Sequence, residues 1–540
     1  MKPNYLIRVS LIVCIVLLCT GFAVYSFMRL DAMDERRDFN LYTLIPQDVE
    51  AVFETDRVTE LIEQIDAMAC SRDNQFLYVS DLFSCVKKFL RVLIEKEPHG
   101  LSWEMNEMLI SFHNPDLKND QVLYCRLGID DRKLLESYIS RSAVSGYSSK
   151  TFAYKGQVID IYPLSDGRFL TVWMQRDFLV VSFQKRLIER VIDTWKQKKS
   201  LARLDVFRSV SGDRREENKA VVYARWKPSS YLMETGVEKS HWLSFNLKFA
   251  EEGIYCAGLV NDDVATDTCC QAFFCSPPLD SFLGDELPRS TFLYKVYALS
   301  ATKTEMRCFL QHIEADSVPV TAESVAFDEA LAKYFQLEAG NQVLSCFFHS
   351  SDSLDRQCRT ILSIPMKNAA RAQWELHKLL YAAFQGRYPF YKSFTVATGV
   401  AGLRLFRLPE HRLTTRLAGC SDGLSFTCAC FYKGRLLLSS DEQDLSEYIT
   451  SLEQNDVLEA VPLYGLATDK LAPTYHSLLM TDMGEALFQS KYCRDLLPPF
   501  FLAHANFFRH FQLSIQLCYT EGVVYPNLVL LYTYPDLSIE

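Results

Sequence analysis

A chain of 540 residues is too long for one ordinary hydrophobic core, and its 49% hydrophobic, 23% charged composition excludes wholesale disorder. The formal net charge of −10 argues against a general nucleic-acid binder, because phosphate binding depends on clustered Lys and Arg releasing counterions. Glycine, at 21 residues, is scarce for phosphate-cradling loops, and neither a Walker-type nor a dinucleotide fingerprint occurs.

The first element in the chain is an uncharged run, VSLIVCIVLLCTGFAVYSFM, at 9–28. At about 1.5 Å per residue it matches the roughly 30 Å hydrocarbon core of a bilayer. A cleaved signal peptide needs small residues at its cut site, which Gly21-Phe22-Ala23 supplies, but the apolar run continues through Val24, Tyr25, Phe27 and Met28. A lipoprotein needs a small residue before the modified cysteine, whereas Leu17-Leu18 precede Cys19. The expectation is therefore an uncleaved signal anchor, with a cytoplasmic N-terminus at 1–8, a single transmembrane helix at 9–28 and a linker at 29–43. Lys2, Arg8 and the free amino terminus favour a cytoplasmic start, against the pull of Arg29, Arg36 and Arg37. The expected location is a bacterial inner membrane, single-pass, with the large C-terminal region in the periplasm.

After the linker, a strand at 51–54 leads into a helix with Val58, Leu61, Ile62, Ile65 and Met68 on one face. A second helix carries Leu82, Phe83, Val86, Phe89, Leu90 and Leu93 at helical spacing. Strands follow at 108–113 and 122–127, then a helix opened by Asp130-Asp131, where a carboxylate can cap free amides. Several short strands lie between Phe152 and Phe183, with Asp166-Gly167 as a turn signal. A helix near 187–195, a strand near 221–226 and a hairpin at 243–260 complete the unit.

The remaining chain repeats this theme. LSFNLKFAEEG at 243–253 matches LSIQLCYTEG at 513–522, and RDFLVVSFQKRLIERVI at 176–192 matches KGRLLLSSDEQDLSEYI at 433–449. Leu44-Ile45-Pro46-Gln47-Asp48 matches Glu286-Leu287-Pro288-Arg289-Ser290, each leading into a strand. The three pairs are collinear. The expected fold class is α+β: an N-terminal transmembrane helix followed by two similar units, at 44–265 and 287–540, joined by a junction at 266–286 that contains Pro277-Pro278. Short connections imply mainly antiparallel sheets, with helices gathered on one side.

The 17 cysteines show no regular disulfide-framework spacing. Those inside apolar segments, such as Cys125, Cys346 and Cys518, read as small core hydrophobes, whereas Cys269, Cys270 and Cys275 are expected at the surface. Cys428 and Cys430 share one face of a strand without a second ligand pair, and core packing is the expected role. His504 and His510 are spaced for neither helical face. Ser300-Ala-Thr-Lys303 matches the Ser-x-x-Lys pattern, but its companion motifs are missing, and no Gly-x-Ser-x-Gly elbow occurs. Glu251-Glu252 and Asp262-Asp263 read as turn and surface residues, Lys196 to Lys199 as a solvated helix end, and Phe347-Phe348, Phe500-Phe501 and Phe507-Phe508 as core. No catalytic, cofactor-binding or metal residue is expected.

The start LIPQDVEAVFETDRVTELIEQI, the apolar segment before it and the repeated strand-Ser-helix element at 179–192 resemble a family of bacterial membrane-anchored proteins, grouped as a domain of unknown function and seen in Bacteroidetes. The resemblance implies location and no catalytic residues. The expected function is a non-catalytic binding or scaffolding module of the cell envelope. Its expected partners are the membrane, through the N-terminal helix, and an envelope protein, lipid or wall component. The alternative is an extracytoplasmic hydrolase whose site is assembled from residues distant in sequence.

Overall fold

The structure, a computed structural model, describes residues 39–533 apart from internal stretches, the longest at 136–149, 212–219, 227–240 and 261–274. The expected membrane segment at 9–28 lies outside the described residues, among which no helix is long and apolar enough to cross a membrane.

The fold is α+β and is organised by one antiparallel sheet. Its first ten strands are β1 (Ala51–Thr55), β2 (Met108–Phe112), β3 (Gln121–Arg126), β4 (Lys150–Tyr154), β5 (Gln157–Pro163), β6 (Phe169–Met174), β7 (Phe178–Ser182), β8 (Ala220–Trp226), β9 (His241–Phe249) and β10 (Gly253–Val260). The second ten are β11 (Thr291–Ala298), β12 (Gln342–His349), β13 (Cys358–Pro365), β14 (Tyr391–Phe394), β15 (Leu403–Arg407), β16 (Cys428–Tyr432), β17 (Arg435–Ser439), β18 (Ser477–Asp482), β19 (Phe511–Thr520) and β20 (Val523–Tyr532). Across the sheet the first half runs β4-β5-β6-β7-β3-β2-β1-β8-β9-β10. The second half then runs β20-β19-β18-β11-β12-β13-β17-β16-β15-β14. Read outward from the centre, the two halves follow one order.

The register carries the comparison down to single residues. Phe53 and Lys295 each follow their proline, Pro46 or Pro288, by the same number of positions. Phe53 faces Ile110, Ile110 faces Leu123, and Leu123 faces Val181, one residue before Ser182. Lys295 faces Ser345, Ser345 faces Leu362, and Leu362 faces Leu438, one residue before Ser439. In the other direction Phe53 leads through Val222 to Phe245, and Lys295 leads through Leu479 to Ile515. Ser182/Ser439 and Phe245/Ile515 are the positions matched by sequence. The loop contacts agree as well: Leu201 N donates to Ile45 O and Leu458 N to Leu287 O, both at 2.8 Å.

Helices cover both faces of the sheet, not the one side expected. In the first half, Leu109, Val122 and Tyr124 pack under the Lys185–Gln197 helix, which contributes Leu187, Ile188, Val191 and Ile192. On the opposite face Met108, Ile110 and Leu123 pack under the Val58–Ala67 and Asp81–Lys96 helices. The second half repeats the arrangement, with Tyr294, Phe348 and Ile361 under the Glu442–Glu453 helix and Leu293, Phe347 and Leu362 under the Ala322–Glu338 and Ala369–Ala383 helices. The reason is local: strands such as FLVVS (β7) are buried at every position, so both faces must be shielded from water. Each fully buried Leu, Val or Ile contributes about 1.5–3 kcal/mol, which far exceeds any helix propensity term.

Three of the helix starts follow side-chain capping chemistry. Thr321, Asn368 and Asp441 accept from the amides of Ser324, Arg371 and Gln443 respectively. Asp131 accepts from Gly128 N at 2.6 Å, while Asp130 lies outside the described residues.

The halves meet where β10 pairs with β20, from Gly253 opposite Leu531 to Val260 opposite Val524. Ala69 N donates to Glu251 O at 2.9 Å, and Tyr532 N to Glu252 O at 2.8 Å, close to the same seam. Gly253 is required there, because a Cβ would stand 2.1 Å from Leu530 O. In the junction, Pro277-Pro278 leads to Leu279, which bridges Tyr475, and Leu279 and Leu283 enter the second-half core.

Candidate functional site

Residues that could carry nucleophilic chemistry meet at the open end of β2. Strand periodicity places Ser111 and His113 on one face. Ser111 Oγ lies 3.0 Å from His113 Nε2 and 3.1 Å from Tyr124 OH on β3. Ser111 and Tyr124 are fully buried. His113 Nδ1, also buried, makes no hydrogen bond among the described residues. Burial, with the Arg190 charge second, pushes the His113 imidazole down to about 4, so it is neutral at ordinary pH. Around it stand two ion pairs, Asp48 with Arg190 and Asp120 with Arg186, the latter at 2.6 Å. An open groove of about 250 Å³ runs between the Pro46–Asp48 turn and Arg190 to Lys199. A serine–histidine pair attacks a carbonyl only when Oγ reaches the substrate and a carboxylate orients Nδ1. Here Ser111 is buried on the sheet face covered by the Lys185–Gln197 helix, and Nδ1 has no carboxylate bonded to it.

In the second half the strand positions of Ser111 and His113 hold Cys346 and Phe348, and the ion pairs beside them have their counterpart in a buried ion cluster. Arg359 binds Asp444 at 2.8 Å and Glu447 at 2.9 Å, and Ser439 Oγ donates to Asp444 Oδ2 at 2.8 Å. Burial raises the Asp444 carboxyl, with Arg359 opposing the shift. Ser182 Oγ donates to the carbonyl of Gln121 at 2.8 Å, and Ser439 Oγ lies 2.9 Å from the carbonyl of Thr360, so both serines sit at the joined strand ends. The repeated serine is a structural tie.

Other histidine contacts are also structural. His411 Nε2 lies 2.7 Å from Thr414 Oγ1, while Asp328 accepts from the amides of Arg412 and Leu413 at a helix start; all three side chains are buried. His349 Nε2 lies 3.2 Å from Glu485 Oε2, and its ring stacks on Phe292.

The motifs flagged by sequence resolve in the same way. Thr302 caps the Lys303–Ala315 helix: Glu305 N donates to Thr302 Oγ1 and Thr302 N donates to Glu305 Oε2, both at 3.1 Å. Ser300 and Lys303 are thus the flanks of a capping box. Cys428 and Cys430 face the second-half core, and burial pushes the Cys430 thiol up to about 12. His504 is buried against Phe500, and His510 accepts from Arg509, so the two histidines serve separate surroundings. Phe347, Phe348, Phe501, Phe507 and Phe508 are core. Glu252 accepts from Tyr255 OH at 2.7 Å in the β9–β10 hairpin. Cys275 is exposed, Cys269 and Cys270 lie outside the described residues, and Cys308 is disulfide-bonded. Among the described residues no His, Cys, Asp and Glu group is arranged to hold a metal ion.

One surface feature has the opposite character. The Ala369–Ala383 helix buries Ala372, Leu376 and Leu380 and turns Trp374, His377 and Tyr381 outward at i, i+3 and i+7. Trp374 stacks parallel to His377 at 5.9 Å, His377 meets Tyr391 of edge strand β14 at 5.5 Å, and the Arg404 guanidinium lies 5.6 Å over Tyr391. Trp374 is 60% exposed, Tyr381 59% and Tyr391 41%, so this row of rings faces solvent. Sequence reasoning missed it, although aromatic residues on the outer stripe of an amphipathic helix were a usable signal.

Comparison of the chain with known protein families, curated proteins and solved structures gives no match.

Proposed function

We propose that this chain is a membrane-tethered, extracytoplasmic binding or scaffolding protein of the bacterial envelope, non-catalytic and built from one α+β unit written twice. The observation that carries the non-catalytic part is where the reactive side chains meet. Ser111 and Thr414, each paired with a histidine, have no exposed surface, while the large side chains left facing water include an aromatic row. Buried polar networks of this kind hold strand and helix ends, and exposed aromatic rings supply contact area. The duplicated build is supported by the shared strand order and by registers that converge on Ser182/Ser439 and Phe245/Ile515. The extracytoplasmic placement is supported by the apolar run at 9–28 and by disulfide-bonded Cys308, since structural disulfides persist in oxidising compartments.

The second reading, an extracytoplasmic hydrolase, draws on the Ser111–His113 pair and the neutral imidazole beside a groove. A fluorophosphonate probe separates the two. The full chain is expected to remain unlabelled at Ser111 while folded. Labelling there, abolished by His113→Gln, would favour the hydrolase. In parallel, crosslinking in intact envelopes followed by recovery of the full chain should enrich one envelope component reproducibly; repeated recovery of the chain alone counts against a binding role.

A further inference from the structure

We propose that the outer face of the Ala369–Ala383 helix, with edge strand β14, docks on an anionic bilayer surface. The chemistry of the rings is the first observation. Trp374, Tyr381 and Tyr391 are amphipathic side chains left largely in water, and such rings settle at the headgroup level of a membrane. Leu337, at the end of the neighbouring Ala322–Glu338 helix, is 66% exposed, and the adjacent Glu338 pairs with Arg371 of the ring-bearing helix.

Charge is the second observation, and it selects the occupant. The molecule as a whole is acidic, at −10, yet cations border this patch. Lys367 donates to the carbonyls of Gln336 and Leu337 at 3.4 Å, which places its ammonium beside the exposed Leu337. Arg404 lies over Tyr391 on the exposed side of β15. Arg371 and Lys378, on the helix itself, are balanced by Glu338 and Glu375 at 2.9 and 2.6 Å. Lys367 and Arg404 thus add positive charge beside exposed apolar side chains, on a protein whose net charge is −10. Apolar anchors with Lys and Arg at their margin form the combination that lies flat on anionic lipid. A protein groove would call for concavity, and these residues lie on a helix flank and an edge strand.

This inference rests on the tethered reading for location only. The test uses the full chain reconstituted in vesicles of phosphatidylcholine alone or of equal parts phosphatidylcholine and phosphatidylglycerol, with brominated lipid as quencher. Subtracting the spectrum of Trp374→Phe isolates the emission of Trp374 from the other tryptophans. The expected result is a blue shift and a roughly twofold quenching of that emission in the anionic vesicles, weak in the neutral ones. Arg404→Gln and Lys367→Gln should each lower the docking equilibrium about fivefold, from about 1 kcal/mol per cation near an anionic surface. Equal quenching in both lipids would overturn the anionic selectivity. Unquenched Trp374 in both would overturn the proposal and assign the face to a protein partner or a second copy. Failure of the tether is read separately, as release of the chain from vesicles by alkaline wash; vesicles added from outside then still report on Trp374.

Discussion

Adding one methyl group at Gly253 tests the seam that makes two halves one sheet. A Cβ there would stand 2.1 Å from Leu530 O, 3.1 Å from Leu530 C and 3.2 Å from Leu531 Cα, all backbone atoms. Relief requires β10 and β20 to separate locally by about 1 Å, because carbon contacts are favourable only near 3.5–4 Å. Overpacking of this kind costs about 1–3 kcal/mol, and one or two weakened hydrogen bonds add about 1 kcal/mol each. Alanine returns about 0.5–1 kcal/mol by restricting the unfolded chain. The net expectation for Gly253→Ala is a loss of roughly 2–3 kcal/mol, concentrated at the seam. Hydrogen exchange should show it as a roughly 30- to 150-fold loss of protection in β10 and β20, with the distant β4–β7 region much less affected. Gly465→Ala is the control: its Cβ would meet nothing within 4 Å, in the helix Pro462–Thr468, so it should stabilise by about 0.5–1 kcal/mol. Unchanged exchange in β10 and β20 of Gly253→Ala would refute the close approach.

Three further outcomes concern buried charge. His113 titrates near 6.5 when unfolded and at about 4 when folded, so the unfolded chain binds more protons between those values. Stability from this group is complete above pH 6.5 and falls by about 3 kcal/mol as pH drops to 4; urea unfolding against pH should show that slope in the native chain and not in His113→Gln. Arg359→Met leaves Asp444 and Glu447 without their cation and should cost about 3–5 kcal/mol, much of it recovered in Arg359→Met/Asp444→Leu; an unrecovered double variant contradicts the ion-cluster reading. Burial pushes Lys295 down to about 8, so its ammonium destabilises the fold at neutral pH. Lys295→Met should stabilise by about 2–3 kcal/mol at pH 7, the gain shrinking between pH 8 and 10.5; thermal unfolding at the two pH values checks it.

Much of the architecture was legible because it is written in short-range periods. Leu187, Ile188, Val191 and Ile192 announce a helix, and the Ser182 and Ser439 elements each announce a strand followed by a helix. What stayed hidden depends on the third dimension. FLVVS and QVLSCFF are apolar on both faces, which one-dimensional alternation cannot distinguish from a strand covered on one side. The Ser-x-His spacing at Ser111 and His113 was readable, but its burial under Tyr124 and the Lys185–Gln197 helix depends on β3 and on chain more than seventy residues away. The Trp374 row was obscured by composition: its rings sit among charges on an otherwise ordinary helix, and only the fold brings Tyr391 and Arg404 beside them.

The proposed tether and its proposed direction set where every proposed contact can occur, and one fusion tests both. Alkaline phosphatase joined after Glu540 folds to an active enzyme only outside the cytoplasm. An active fusion that sediments with the inner membrane is the expected result. A silent fusion, or an active one released as a soluble protein, would contradict the placement of the sheet and its aromatic face beside the outer surface of that membrane.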